Sequence, residues 1–354
     1  MSTDRVPVFD GHNDLLLRLY GLSPPERESA ALQGRADGHL DLPRMRAGGF
    51  AGGLFAIYVP SVGDGLDGDA LMERERYALP LAPAVPFDAA SAATVSMASI
   101  LLRLERASDG ALTICRSAAE IRAAMARGAI AAVLHVEGAE GIDPDLDMLE
   151  VLHAAGLRSL GPVWSRPNRF GHGVPFRFPS SPDTGKGLTD HGRALIKACN
   201  RLKIMIDLSH LNEKGFWEVA QMSDAPLVAS HSNAHALCPS SRNLTDRQLA
   251  AIGESRGLVG VNYATSFLRA DGRKDARTGL DEITRHIDYL LERLGEDGVA
   301  LGSDFDGAQI PDAIGDAAGL PNLIAALRAR GYGEALVRKI ASENWISLLE
   351  RTWA

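Results

Sequence analysis

Ile130-Ala-Ala-Val-Leu-His-Val-Glu137-Gly138 is the stretch on which the reading of the fold turns. Apolar residues follow one another from 130 to 136 without the strict alternation of a half-wet strand. A strand buried on both faces reads this way, as in a parallel sheet covered by helices. The run then stops at a carboxylate and a glycine. Seven more short apolar runs share its character, at residues 6–9, 53–59, 158–164, 204–208, 227–230, 258–261 and 299–302.

Helical patterns lie between several of them. Leu195, Cys199 and Leu202 fall on one face of 189–203, and Ile283, Ile287, Leu290 and Leu294 on one face of 281–294. Thr245 and Gln248 match a capping box and start another helix. Strand and helix in alternation specify a parallel sheet with crossover helices. Eight strands favour closure over an open doubly wound sheet, and no early strand is followed by G-x-G-x-x-G. The expected class is α/β, a (β/α)8 TIM-type barrel with long loops and C-terminal helices, forming a single domain over residues 1–354. Two connections are long: 60–110, with a helix expected near 91–106, and 165–188, rich in Pro, Gly and Phe. Residues 334–353 read as paired helices packed on the barrel.

The bulk properties narrow the function. The 354 residues are 45 % hydrophobic and carry a net charge of −8 without a basic block, which argues against a nucleic-acid partner. The first ten residues lack a signal-like apolar core, and no later stretch reads as ~18 consecutive apolar residues, so no membrane partner is expected. Cys115, Cys199 and Cys238 are far apart and in no C-x-x-C pattern, which disfavours disulfides and thiolate metal sites. A cytoplasmic location fits these features, and a homodimer is compatible with them.

Chemistry-bearing residues collect where the apolar runs end. Asp10-Gly-His12-Asn-Asp14 ends the first run, His135-Val-Glu137 the third, Asp207-Leu-Ser-His210 the fifth, Ser230-His231 the sixth and Gly302-Ser-Asp304-Phe-Asp306 the eighth. C-terminal strand ends form the active face of such barrels. Spacing i, i+2 puts His12 and Asp14 on one side of a strand, where imidazole and carboxylate can share a cation. His39-Leu-Asp41 has the same spacing but follows no apolar run. It reads as a loop or helix start with no metal role. Glu137 alone would pass for a capping acid, and one strand-end His for hydrogen-bonded core. Together with His210 and His231, a bridging carboxylate is the better reading. Such N/O ligands suit zinc, though other divalent metals fit the same donors. Asp304 can carry a proton, or simply cap the next turn; Asp306 reads as structural.

Taken together, these motifs resemble the membrane dipeptidase (renal dipeptidase) family of zinc metallopeptidases, in the amidohydrolase superfamily. The resemblance rests on Asp10-Gly-His-Asn-Asp-Leu, Val136-Glu-Gly, Met205-Ile-Asp-Leu-Ser-His, Ser230-His-Ser-Asn-Ala, Ser241-Arg-Asn and Gly302-Ser-Asp-Phe-Asp-Gly. It implies two divalent metal ions, most simply Zn2+, with His12 and Asp14 on one, His210 and His231 on the other, and Glu137 bridging. It implies a dipeptidase that cleaves dipeptide substrates with a hydroxide held between the zinc ions. Asp304 would then be the catalytic proton shuttle and Arg242 the clamp on the substrate's carboxylate. At one place the chain departs from the family: Trp164 stands where renal-type members have a histidine at the scissile carbonyl. Trp164 is expected to wall the substrate pocket, with His172 in Phe170-Gly-His-Gly as an alternative donor. The rival activities are an N-acyl amino acid deacylase or other binuclear amidohydrolase and, from another class, a catalytically inactive ligand-binding barrel.

Overall fold

The run at 130–137 forms a strand buried along its whole length. It lies in a computed structural model that describes residues 5–61 and 68–354; residues 1–4, and 62–67 of the first long connection, lie outside it. In chain order the strands are β1 (Val8–Asn13), β2 (Phe50–Tyr58), β3 (Tyr77–Ala78), β4 (Leu112–Ile114), β5 (Ile130–Glu137), β6 (Leu157–Gly161), β7 (Arg177–Phe178), β8 (Met205–Ile206), β9 (Val228–Ala229), β10 (Leu258–Val261) and β11 (Val299–Leu301). The architecture is mixed α/β. Strands β1-β2-β5-β6-β8 run side by side as a parallel half-barrel, with β4 beside the start of β5. A second parallel sheet has the order β11-β10-β9.

The two sheets meet at two seams. At one, Asp207 bridges Val228; at the other, Asn13 bridges Phe305. Each seam carries a buried aspartate that grips a serine across it. Asp207 accepts the backbone N–H of Ser230 at 2.8 Å and its hydroxyl at 2.5 Å. Asp10 accepts the same two groups of Ser303 at 2.7 and 2.8 Å. Such side-chain bonds supply pairing where the backbone ladder is short.

Alternate strand residues serve two cores. Phe9, Leu54, Val133, Met205, Val228 and Leu258 pack in one cluster with Trp345. Their neighbours Val8, Phe55, Leu134, Ile206, Ala229 and Val259 join the larger cluster shared with the helices. Trp345 is fully buried and donates its indole N–H to Leu301 O at 2.8 Å. The strands leave it little room: a Cβ on Gly11 would lie 2.5 Å from its ring.

Several boundaries differ from those expected. β1 continues to Asn13 because it pairs with β2 as far as Phe55, so His12 lies within the strand. β6 stops at Gly161, since Pro162 has no N–H for the ladder. Trp164 therefore falls three residues past the strand. The C-terminal segment is one continuous helical run, Glu334–Arg338, a π-turn at Lys339–Glu343, then Asn344–Trp353, not a pair of helices. The helix expected near 91–106 spans Phe87–Ala107 and is long and apolar enough, by length and composition alone, to match a membrane span. Met97, Leu101 and Leu104 bury its inner face in the core. Finally, β3 and β7 pair antiparallel, Tyr77 opposite Phe178, so the two long connections meet at this short two-stranded pairing.

Candidate metal centre

Three imidazoles and two carboxylates converge at the strand ends. His12 sits in β1, and Asp14 follows it as the N-cap residue of the helix Leu15–Tyr20. Glu137 is the last residue of β5, opposite Tyr58. His210 follows β8 in a left-handed conformation, φ +66°, and His231 follows β9. Glu137 Oε1 lies 3.6 Å from His12 Nε2, 3.0 Å from His210 Nε2 and 3.2 Å from His231 Nε2. His12 Nε2 is 3.3 Å from Asp14 Oδ2. The donors form two overlapping groups, His12–Asp14–Glu137 and Glu137–His210–His231. All five residues are buried.

This arrangement is costly without a cation. Among the described residues, neither ring nitrogen of His12 nor Asp14 Oδ1 has a hydrogen-bond partner. A buried polar atom left unpaired costs about 1–3 kcal/mol. His210 and His231 use their Nδ1 atoms on Ser165 and Ser230, at 2.7 and 2.8 Å, which turns both Nε2 atoms inward, 3.1 Å apart. Burial, helped by the neighbouring Arg242 and His12 charges, holds both imidazoles well below their usual pKa, so both are neutral and able to ligate. Burial pushes Glu137 up to about 8, with Asp14 and Asp304 adding to it. Burial opposes charge on His12, yet Glu137 and Asp14 hold it up to about 10. A divalent cation would satisfy these orphaned nitrogens and crowded carboxylates together, and the N/O donor set fits one.

Asp304 stands beside this cluster on a turn with φ +61°. Its backbone N–H donates to His12 O at 3.1 Å, and its Oδ2 accepts Asn262 Nδ2 at 2.9 Å. Burial raises its pKa, with Asp14 adding to it. The turn needs a glycine, because a Cβ on Gly307 would lie 2.1 Å from Asp14 Oδ2 and 2.5 Å from Asp304 Oδ1. A cavity of about 190 Å³ opens over Asp14, Glu137, His210 and Asp304, with Tyr58, Trp164, Phe176 and Phe267 among its walls.

Comparison with known proteins gives this constellation its context. The sequence profile described as membrane dipeptidase (peptidase family M19) matches residues 3–353. The chain belongs to that family. A crystal structure of a metallo peptidase from Rhodobacter sphaeroides, liganded with a phosphinate mimic of the dipeptide L-Ala-D-Ala, is 60 % identical. The match covers 99 % of this chain and 100 % of that one, with a TM-score of 0.97. Dipeptidase AC, a metallo peptidase of family M19, is also 60 % identical over 99 % of both chains, TM-score 0.96. An uncharacterized protein in the pqqA 5′ region of Klebsiella pneumoniae is 54 % identical over 255 residues, 72 % of this chain and 94 % of that one. The family, the close structural matches and the His/Asp/Glu groups together support a dipeptidase function for this metallopeptidase.

The remaining expected residues of this family member are placed less simply. Arg242 is buried against the centre, not free in the cavity. Its Nη1 donates to Ser232 Oγ and its Nη2 to His231 O, both at 3.0 Å, while Nε lies 3.2 Å from His210 Nε2. Trp164 does line the cavity, with its ring 5.1 Å from Tyr58, 5.4 Å from Phe176 and 5.8 Å from His210. His172 is not among the lining residues. Its Nδ1 meets Gly187 O at 3.1 Å, and backbone bridges at Pro167 and Leu211 pin its loop, which corrects the alternative of a swinging donor.

Some polar partners escaped the sequence. Asn262 holds Asp304, and Ser165 and Ser230 orient imidazoles. His135 is buried on the Glu137 side of β5, its Nδ1 2.8 Å from Ser159 Oγ and its Nε2 3.7 Å from Asp207 Oδ2. Its i, i+2 spacing from Glu137 was the available signal.

Proposed function

We propose that this member of the membrane dipeptidase family is a two-metal enzyme, with zinc as its cation, that cleaves small dipeptides. The observation that carries the proposal is the convergence of three buried Nε2 atoms on one oxygen of Glu137. His12 and Asp14 would hold one ion and His210 and His231 the other, with Glu137 shared. When bound, such ions polarise a substrate carbonyl and lower the pKa of water.

The chain's own residues do the rest. Asp304 faces the cavity and keeps one carboxylate oxygen, Oδ2, on Asn262. It accepts the proton released on attack and returns it to the leaving amine. Arg242 places a guanidinium beside His210 and His231 and takes the substrate's carboxylate by exchanging its bonds to Ser232 Oγ and His231 O for it. Trp164, Tyr58, Phe176 and Phe267 enclose the substrate in aromatic surface. The phosphinate mimic bound by the Rhodobacter sphaeroides enzyme favours alanine-sized side chains and a D-residue at the second position here too. We also read the two parallel sheets as one closed (β/α)8 barrel, supported by the single bridges and aspartate–serine pairs at both seams.

The test is a dipeptide library assayed on zinc-loaded protein, with metal measured on the same sample and N-acetylated dipeptides alongside. Hydrolysis of free L-Ala-D-Ala-like dipeptides over their acetylated forms is expected. Preference for the acetylated forms would overturn the dipeptidase reading in favour of a deacylase.

A further inference from the structure

The second H-x-D of the chain, His39-Leu-Asp41, divides its roles. Asp41 caps the helix Leu42–Gly48, accepting the N–H of Arg44. His39 instead reaches across 267 residues to the turn that carries Asp304.

That turn is unusual in its backbone. Asp304 and Asp306 both have left-handed φ, +61° and +64°. Non-glycine residues hold this region only when the surroundings over-determine it. Asp306 is held on three sides. Its N–H donates to His39 Nδ1 at 2.8 Å, its Oδ1 accepts the backbone N–H of His39 at 2.6 Å, and its Oδ2 accepts Arg18 Nε at 3.1 Å. Arg18 in turn donates to Leu40 O, closing the loop onto the same segment. Phe305, between the two aspartates, faces the His39 ring at 5.8 Å. On the opposite side the turn is tied to β1, through Asp304 N–H to His12 O and Asp14 N–H to Phe305 O.

The turn is thus gripped between the metal strand and the His39 segment, and Asp304 points from it into the cavity. Because Nδ1 accepts, the imidazole of His39 is the neutral tautomer with its proton on Nε2. We propose that His39 is a positioning residue for Asp304: its Nδ1 fixes the left-handed conformation of Asp306 and thereby the aim of the Asp304 carboxylate. The proposal rests on the reading of Asp304 as proton carrier.

The experiment compares His39→Ala, His39→Asn and His39→Gln in zinc-loaded protein, with metal content and melting temperature measured for each. The Asn Oδ1 falls near the position of His Nδ1 and can accept the Asp306 N–H. The Gln oxygen lies farther out, near Nε2. His39→Ala and His39→Gln should lower kcat about tenfold or more, with KM within about twofold and metal content unchanged, as expected of a displaced catalytic group. His39→Asn should recover to within about threefold of the parent. A kcat for His39→Ala within about twofold of the parent, or His39→Asn no better than His39→Gln, would overturn the proposal. So would a loss that follows metal content. Should His39→Ala not fold, the Asn and Gln pair decides alone. A crystal structure of His39→Gln with the Asp304–Asn262 bond intact also overturns it, whatever becomes of Asp304→Asn. A fully active Asp304→Asn sinks the proton-carrier reading instead, and that same crystal structure then decides the positioning role.

Discussion

The carboxylate of Asp10 accepts both the backbone N–H and the hydroxyl of Ser303, at 2.7 and 2.8 Å, across 293 residues of sequence. Burial pushes Asp10 up to about 7, against the pull of these bonds. Asp207 and Ser230 repeat the arrangement at the other seam. In both cases the serine immediately precedes a residue of the candidate site, Asp304 or His231. The contacts that join the sheets therefore also fix the rim.

Ser303→Ala should lower stability. It removes the hydroxyl from Asp10 Oδ2 and leaves a buried acceptor short of a partner, a loss of about 1–3 kcal/mol. Urea unfolding of the metal-saturated protein should show a lower midpoint at an unchanged slope. An unchanged midpoint would mean the hydroxyl adds nothing to that seam beyond the backbone bridge and the residue-303 N–H bond to Asp10.

Metal removal should abolish activity and lower the melting temperature, because the ligands are buried and partly unpartnered without a cation. Readdition of divalent metal should restore activity in two steps, saturating at about two ions per chain. Full activity at one tightly bound ion would contradict the assignment of Glu137 as a shared ligand.

Asp304→Asn should keep both metals and the fold while reducing kcat by about 100-fold or more. The amide oxygen can still accept Asn262 Nδ2, so the geometry is kept, but the amide cannot accept a proton. Near-normal turnover with full metal content would remove Asp304 from the chemistry.

Much of the site could be read from the chain because each of His12, Asp14, Glu137, His210 and His231 ends an apolar run, and strand ends share one rim. The structure brings these five together. What could not be read were cross-strand relations. Nothing local in Asp207 shows that it grips Ser230, and nothing in His39 shows that it meets Asp306. β3 and β7 escaped because two-residue strands have no periodicity. The end of β6 is not legible because an apolar run continues through Pro162, where the ladder cannot. Arg242 is a different case: its Ser-Arg-Asn context looks like surface, and only the fold buries it.

Arg242→Met should reduce kcat/KM for dipeptides with a free carboxylate, by about 1.5–3 kcal/mol of transition-state binding. C-terminally amidated substrates should suffer less. The guanidinium also bonds His231 O and Ser232 Oγ, so some loss common to both substrate classes is expected. Equal losses for the two classes, however, would assign Arg242 to support of the metal centre alone.

Trp164 lines the cavity beside His210. Its ring is half-buried between Tyr58 and Phe176, against His210, with the Arg166 guanidinium 5.2 Å from it. Arg166 is itself buried and fixed by Glu140, Ser61 and Val59 O. A ring wedged in this way offers apolar surface, with any indole N–H donation secondary. Trp164→Phe keeps most of that surface and removes the N–H. It should leave kcat for the best dipeptide within a few-fold, while changing the ranking of side chains in the library. Loss of a true oxyanion donor costs about 100-fold or more in kcat. A fall of that size across all dipeptides, in variant protein with its metals and melting temperature intact, would make the indole N–H part of the chemistry and end the wall reading.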